Sequence, residues 1–304
     1  MSDLSKLHEV INTKRDPKEV SKLEKKQVSP SQKEFMDMAE TFKSMKTGEE
    51  IEYNCKLCKD KGFIVSDSSD YFIEDTLSKV VEGKIIDIPV YLKKCKCTID
   101  KEFEINMNRS GMNAILDKIK NEKYETKFDW QKDYLNRVTE YVKNDVNGFF
   151  ISGQTGSGKT LLMGKGLLGL IQKGKEGFYF DWHNDFNKKV IDRYKVEDWT
   201  FIDYMCNVDV LYIDDLFKTR GNVIEDLYKR DKEIMIARTI IDKRLNSKGK
   251  KTIVSMEWKP SDIAMIDSSL HGRMLLMAES NKNWITMTDK ENRNIRELKF
   301  NNEF

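Results

Sequence analysis

The run Gly153-Gln154-Thr155-Gly156-Ser157-Gly158-Lys159-Thr160 meets every fixed position of the spacing G-x-x-x-x-G-K-[ST]. That spacing suits the cradling of a polyphosphate. Glycines let backbone N–H groups turn onto phosphate oxygens, the first turn of a following helix favours an anion, and Lys159 adds a mobile cation. Thr160 then offers a hydroxyl to Mg²⁺. A glycine-rich surface turn is the competing reading, and the flanks decide against it. Phe149-Phe150-Ile151-Ser152 suits a buried strand and Leu161-Leu162-Met163 can begin a helix, which is the context the loop requires.

A second group of residues complements the first. The apolar run Val208-Asp209-Val210-Leu211-Tyr212-Ile213 delivers Asp214-Asp215, the arrangement of a Walker B strand end. Asp214 is the candidate to hold Mg²⁺, directly or through water, and Asp215 the candidate to orient and deprotonate an attacking water. Ser255 and Glu257, at the end of Thr252-Ile253-Val254-Ser255, are candidates to sense a terminal phosphate, with an ordinary strand end as the alternative. Arg273 follows Gly272 near a helical segment and could stabilise transition-state charge in a neighbouring subunit's site.

Four of the five cysteines form two close pairs, Cys55/Cys58 as C-x-x-C and Cys95/Cys97 as C-x-C. Each pair adjoins a strand-like run, Phe63-Ile64-Val65 and Lys84–Leu92, with the stretch between read as an insertion through Val80. Four converging thiolates would close a tetrahedral structural Zn²⁺ site, whereas a redox pair or unrelated thiols are the alternatives. Cys206 reads as a small buried side chain before a strand.

These groups need a scaffold. Gly177–Phe180, Val208–Ile213, Thr252–Ser255 and Trp284–Met287, together with Phe149–Ser152, make five strand candidates separated by helical stretches. Alternation of that kind implies an α/β fold, a five-stranded parallel sheet covered on both faces, with ligands at the carboxyl ends of the strands. Ahead of it, Phe128-Asp129-Trp130-Gln131 leads into an amphipathic helix carrying Tyr134, Leu135, Val138, Tyr141 and Val142, and those aromatics could flank a base or pack on the core. Three segments result: a helical or mobile stretch over 1–50, a thiol module with helical connector over 51–124, and the sheet domain over 125–304.

Composition sets the remaining bounds. The 304 residues are 39% hydrophobic and 34% charged, with 53 basic against 51 acidic side chains, so summed charge by itself gives no argument for nucleic acid. No apolar run is long enough to cross a bilayer and Met1-Ser2-Asp3-Leu4 opens no signal-peptide pattern, so a cytoplasmic protein without membrane contact is expected. Phe178-Tyr179-Phe180-Asp181-Trp182-His183, with Lys188 and Lys189, offers a candidate single-stranded DNA platform, or else a buried strand and a solvated helix start.

The ordered set of phosphate loop, Asp214-Asp215, Ser255-Met256-Glu257, Ile266-Asp267 to Gly272-Arg273-Met274 and upstream C-x-x-C…C-x-C resembles the DnaC/DnaI-type helicase loaders, including phage versions. These are AAA+ ATPases related to DnaA and to IstB transposition helpers. The resemblance covers about residue 51 onward and is strongest from Phe128 to Arg273. It implies ATP as the nucleotide, a homo-oligomer, an N-terminal part that docks on a hexameric replicative helicase, and delivery of that helicase onto single-stranded DNA at replication initiation. It also makes Arg273 the arginine finger. Met256-Glu257 departs from the Ser/Thr-Ser-Asn of many loaders, so no asparagine sensor carries over. About twenty residues follow the last strand candidate, in keeping with a loader branch that has little or no helical lid. An IstB-like helper acting on duplex DNA with a transposase is the alternative, against which the thiol module argues.

Overall fold

The computed structural model describes residues 53–65, 73–81, 84–218, 231–287 and 293–302. The expected N-terminal segment over 1–50 lies outside these residues. Two compact units divide between Glu104 and Ile105.

In the smaller unit, the cysteine knuckle turns through left-handed Lys59, Asp60 and Gly62. The Asp60 carboxylate accepts from the backbone N–H groups of Asn54 and Cys55 at 3.1 and 2.8 Å, which holds the turn closed. Three antiparallel strands follow, β1 (Phe63–Val65), β2 (Ile73–Val81) and β3 (Lys84–Lys94), in the order β1-β3-β2. The described part of the stretch expected to be an insertion belongs to a nine-residue strand, paired from Ile73↔Leu92 to Val81↔Lys84. Its composition, IEDTLSKVV, hides this because hydrogen bonding to the neighbouring strand β3 supplies what intrinsic propensity lacks. Among the described residues Pro89 pairs with Thr76 of β2 and lies beyond the part of β3 that pairs with β1. Cys95 and Cys97 come at the start of helix α1 (Lys96–Arg109), beside β1 through the Cys95 N–H to Gly62 O bond of 2.8 Å.

The larger unit contains α2 (Asn113–Asn121), α3 (Asp129–Lys143), β4 (Gly148–Ser152), α4 (Lys159–Gln172), β5 (Gly177–Asp181), α5 (Thr200–Asn207), β6 (Val210–Leu216), α6 (Asp231–Leu245), β7 (Lys251–Met256), α7 (Pro260–Ile266), α8 (Ser268–Ala278), β8 (Trp284–Thr286) and α9 (Ile295–Phe300). A short helical passage, partly π-helical over Phe186–Ile191, links β5 to α5. The five strands form one parallel sheet in the order β5-β6-β7-β4-β8. Every residue of β4 and β7 is buried, as strands inside a doubly covered parallel sheet are, and in β7 this includes the polar Lys251, Thr252 and Ser255. The fold expected from the strand count is thus the fold observed.

Helix α4 is apolar almost all round and buried on nearly every side, and small residues let its neighbours approach. A Cβ on Gly164 would overlap Ile119, so α2 lies directly on α4 within the larger unit. Behind the sheet, fully buried Arg244 donates to the carbonyls of Met205 (2.9 Å), Val208 (2.8 Å) and Lys251 (2.6 Å) and to the Thr252 hydroxyl (2.8 Å), tying α5, β6 and β7 together. Among the described residues no helix is long and apolar enough to cross a membrane.

Candidate nucleoside triphosphate site and thiol cluster

The phosphate loop runs from the end of β4 to the start of α4. Gly153, Gly156 and Gly158 have φ of 118°, 78° and 86°, conformations that a side chain strains. A Cβ on Gly153 would also meet Met287 at 2.6 Å. Lys159 Nζ donates to the carbonyls of Gly153 and Gln154, each at 2.8 Å. Burial holds this ammonium below its ordinary range, opposed by the charges of Glu257, Asp215 and Asp214.

Asp214 is 4% exposed, yet its carboxylate is ringed by hydroxyl donors. Thr160 Oγ1 donates at 3.2 Å, Tyr179 OH at 3.1 Å, Tyr212 OH at 2.8 Å, and Ser255 Oγ is also bonded to it. Burial nonetheless pushes its pKa above the usual carboxylate range, with the Asp215 charge adding and the Ser255, Tyr212 and Thr160 hydroxyls opposing. The 3.2 Å between Thr160 Oγ1 and Asp214 Oδ1 is close to the ~3 Å that separates adjacent ligands of an octahedral Mg²⁺ at about 2.1 Å, so this oxygen pair fits the ion.

Consecutive residues of a regular strand point to opposite faces, yet Asp214 bonds Thr160 and Asp215 lines the cavity beside it. A break in register explains it. Ile213 pairs with Val254 and Leu216 with Met256, so two residues of β6 oppose Ser255 alone. Asp215 takes a left-handed φ of 56°, and its N–H donates to Ser255 Oγ at 3.4 Å. Ser255 thereby holds both carboxylate-bearing residues.

Beyond the bulge, Phe217 has φ of 56° and the Lys218 N–H returns to Asp215 O at 3.0 Å. Lys218 Nζ then reaches Asp215 Oδ2 at 2.8 Å and Glu257 Oε1 at 3.6 Å, and Glu257 accepts from Thr155 Oγ1 at 2.8 Å.

These groups open on a cavity of about 280 Å³. Its floor is the phosphate loop with Asp215, Lys218 and Glu257; one wall is 118–125, the other α9. Lys118, Lys123, Lys159, Lys218, Arg296 and Lys299 line it against Glu122, Glu125, Asp215 and Glu257, a cationic surplus suited to a polyphosphate. The sequence reading missed Lys118, Lys123, Arg296 and Lys299, whose only signal is proximity in the fold, and Lys218, whose one local signal is its spacing of three from Asp215. Helix α9 reaches the loop through Ile295 N–H to Gly156 O at 3.0 Å and Arg293 N–H to Gln154 Oε1 at 2.8 Å.

Other candidates fall elsewhere. Phe128 and Trp130 stack on one another with centroids 6.1 Å apart, and Trp130 also meets Tyr134; neither lines the cavity, and Tyr124 is the aromatic that does. Phe178, Tyr179, Phe180 and Trp182 are buried in β5 and the helix after it, so they form core and not a DNA platform; an apolar run within a central parallel layer has no free face. Lys188 and Lys189 are exposed. Arg273, on α8, is held by Asp242 of α6 and by Ser269, away from its own chain's cavity.

In the smaller unit, Cys55, Cys58, Cys95 and Cys97 bring their sulfurs within 4.8 Å of one another. Cys55 to Cys95 is 3.8 Å and Cys58 to Cys97 is 3.4 Å, near the ~3.8 Å edge of a tetrahedron with Zn–S of about 2.3 Å. The set fits zinc. Backbone N–H groups of Cys58 and Leu57 lower the Cys55 thiol to about 7, whereas Cys97 is pushed up to about 12, first by its bond with Cys58 and then by burial. Cys206 is buried in α5, outside the cluster.

Residues 131–281 match the family model of the bacterial DnaA ATPase domain. Among curated proteins, the chain is similar to the uncharacterized protein YqaM of Bacillus subtilis (strain 168), with 27% identity over 203 residues; the match covers 56% of this chain and 64% of that protein, under two thirds of its length. Among solved structures it is similar to the DnaC helicase loader (21% identity, TM-score 0.42, 61% of this chain and 99% of that one). It is also similar to DnaI (17% identity, TM-score 0.42, 54% and 88%). The phosphate loop, Asp214, Asp215, Ser255, Glu257 and Arg273 lie inside the DnaA-type match, whereas the thiol cluster and α9 lie outside it.

Proposed function

From the premise that residues 131–281 are an AAA+ ATPase domain of the bacterial DnaA type, we propose that this protein spends ATP to load a hexameric replicative helicase onto single-stranded DNA. The ATPase part is supported above all by the bulge in β6, at which Asp214 bonds Thr160 of the phosphate loop while Asp215 lines the cavity beside that loop. The loader part is supported by the ordered motifs and by a four-thiol module ahead of the domain.

In this reading the loop N–H groups and Lys159 hold the β- and γ-phosphates, while Thr160 and Asp214 hold Mg²⁺, whose chemistry is to draw charge from the phosphate oxygens. Asp215 orients water in line. The water oxygen bonds to the γ-phosphorus as the bond to the bridging oxygen breaks, and the water proton passes to Asp215 and then to solvent. Arg273 completes the site of a neighbouring copy. Cys55, Cys58, Cys95 and Cys97 hold a structural Zn²⁺ that keeps the small unit shaped for docking, with the segment before it and the helical stretch through residue 124 contributing.

Two measurements test this. Asp215→Asn should lose turnover by about 10²-fold or more while still binding nucleotide. Full-length protein should retain a hexameric replicative helicase in an ATP-dependent pull-down, and the Cys58→Ser/Cys97→Ser variant should retain less. Assembly on duplex DNA with no affinity for helicase would instead select the transposition-helper reading.

A further inference from the structure

Lys218 takes no part in the assignments above, although it lines the cavity. Its position is built rather than incidental. The left-handed residues Asp215 and Phe217 fold the chain back on itself after β6. The buried Phe217 is clamped by Trp258 Nε1 donating to its carbonyl at 3.1 Å. What emerges is an ammonium 2.8 Å from the carboxylate assigned to the water and 3.6 Å from Glu257, which is itself tied to the phosphate loop through Thr155. One carboxylate oxygen of Asp215, Oδ2, is thus engaged by a cation.

A terminal phosphate between the loop and this pair carries more negative charge than one carboxylate, and its oxygens accept charge-assisted hydrogen bonds from an ammonium. Lysine suits such an exchange because its flexible stem lets a point charge change partners without the planar geometry that arginine needs. We propose that Lys218 reads the γ-phosphate: with a triphosphate bound it transfers its ammonium to the terminal phosphate and releases Asp215, and with a diphosphate it remains on Asp215 and Glu257. The inference rests on the ATP-site reading above and adds to it a switch contained within one chain. It makes Lys218 a phosphate-binding residue, and it makes the diphosphate form one in which the water-activating carboxylate stays neutralised.

Calorimetric titration of the full-length protein with ATPγS and with ADP, both with Mg²⁺, tests it. Lys218→Met should weaken ATPγS about tenfold, the scale of one charge-assisted bond less the ion pair given up, and change ADP by less than about twofold. Lys218→Arg should restore part of the preference. Asp215→Asn frees the ammonium and should bind ATPγS more tightly than wild type, and adding Lys218→Met should abolish that gain. Equal weakening of both nucleotides by Lys218→Met, or no change in either, overturns the proposal and leaves the ATP site intact. A wild-type protein that binds neither nucleotide overturns both. Wild-type turnover in Asp215→Asn removes that carboxylate from the reaction and rejects the coupling.

Discussion

Substituting Asp214 by asparagine should stabilise the fold and disable it at once. The carboxylate is 4% exposed and burial raises its pKa. A carboxyl group with a raised folded pKa binds its proton more tightly in the native state than in the unfolded chain. Its stabilising contribution is therefore full below the unfolded pKa and lost as pH rises through the folded one. At neutral pH the charge is a net cost, even with four hydroxyls turned towards it. Asparagine keeps the shape and removes the charge, and relief of a buried ion is worth about 1–2 kcal/mol here, at the low end for such replacements because the hydroxyl bonds weaken. For a domain of this size that is a rise in Tm of roughly 2–8 °C. Mg·ATPγS reverses the order. Saturation at 100 times Kd adds about 2.7 kcal/mol to wild type, and each tenfold loss of affinity in the variant removes about 1.4 kcal/mol of that gain. Scanning calorimetry at pH 7.5, with and without Mg·ATPγS, reads both arms. A variant less stable than wild type without nucleotide would refute the claim that the buried charge is uncompensated, and an undiminished nucleotide shift would remove Asp214 as an ion ligand.

Gly156→Ala should lower Tm by roughly 2–8 °C and weaken nucleotide binding about tenfold, since a Cβ at φ 78° costs ~1–2 kcal/mol and would overlap Asn294 just ahead of α9; scanning calorimetry and titration with ATPγS check it. Arg244→Met should cost about 3–5 kcal/mol in urea unfolding, because the carbonyls of Met205, Val208 and Lys251 lose their donor in a fully buried setting. Metal analysis should find one zinc per chain, falling in Cys97→Ser. Zinc affinity should rise with pH between 6.5 and 8 in a chelator competition, because thiols that must lose protons include one near 7 and one near 12.

Much of the site is local in origin and therefore legible. Phosphate recognition needs glycines and a lysine at fixed spacing in one short segment, so Gly153 to Thr160 could be read directly, as could the cysteine pairs, whose clustering has few other causes. Strands with continuous apolar runs declared themselves for the same reason. The polar strand β2 did not, because its identity resides in pairing with β3. Nor did the aromatic run Phe178–Trp182 show which of its two readings held, since burial depends on what the sheet places either side.

The dipeptide Asp214-Asp215 shows the division most clearly. Its residue types, at the end of an apolar strand, made the two carboxylates candidates to serve a cation and a water. Pairing between β6 and β7 decided how the two are presented, through a bulge that sets two residues of one strand against Ser255 and overrides the alternation of side chains. The same turn brings Lys218 back onto Asp215, and folding sets α9 and the 118–125 wall around the cavity. A charge can be counted in a sequence, but its partner is set by long-range register, which no local pattern encodes.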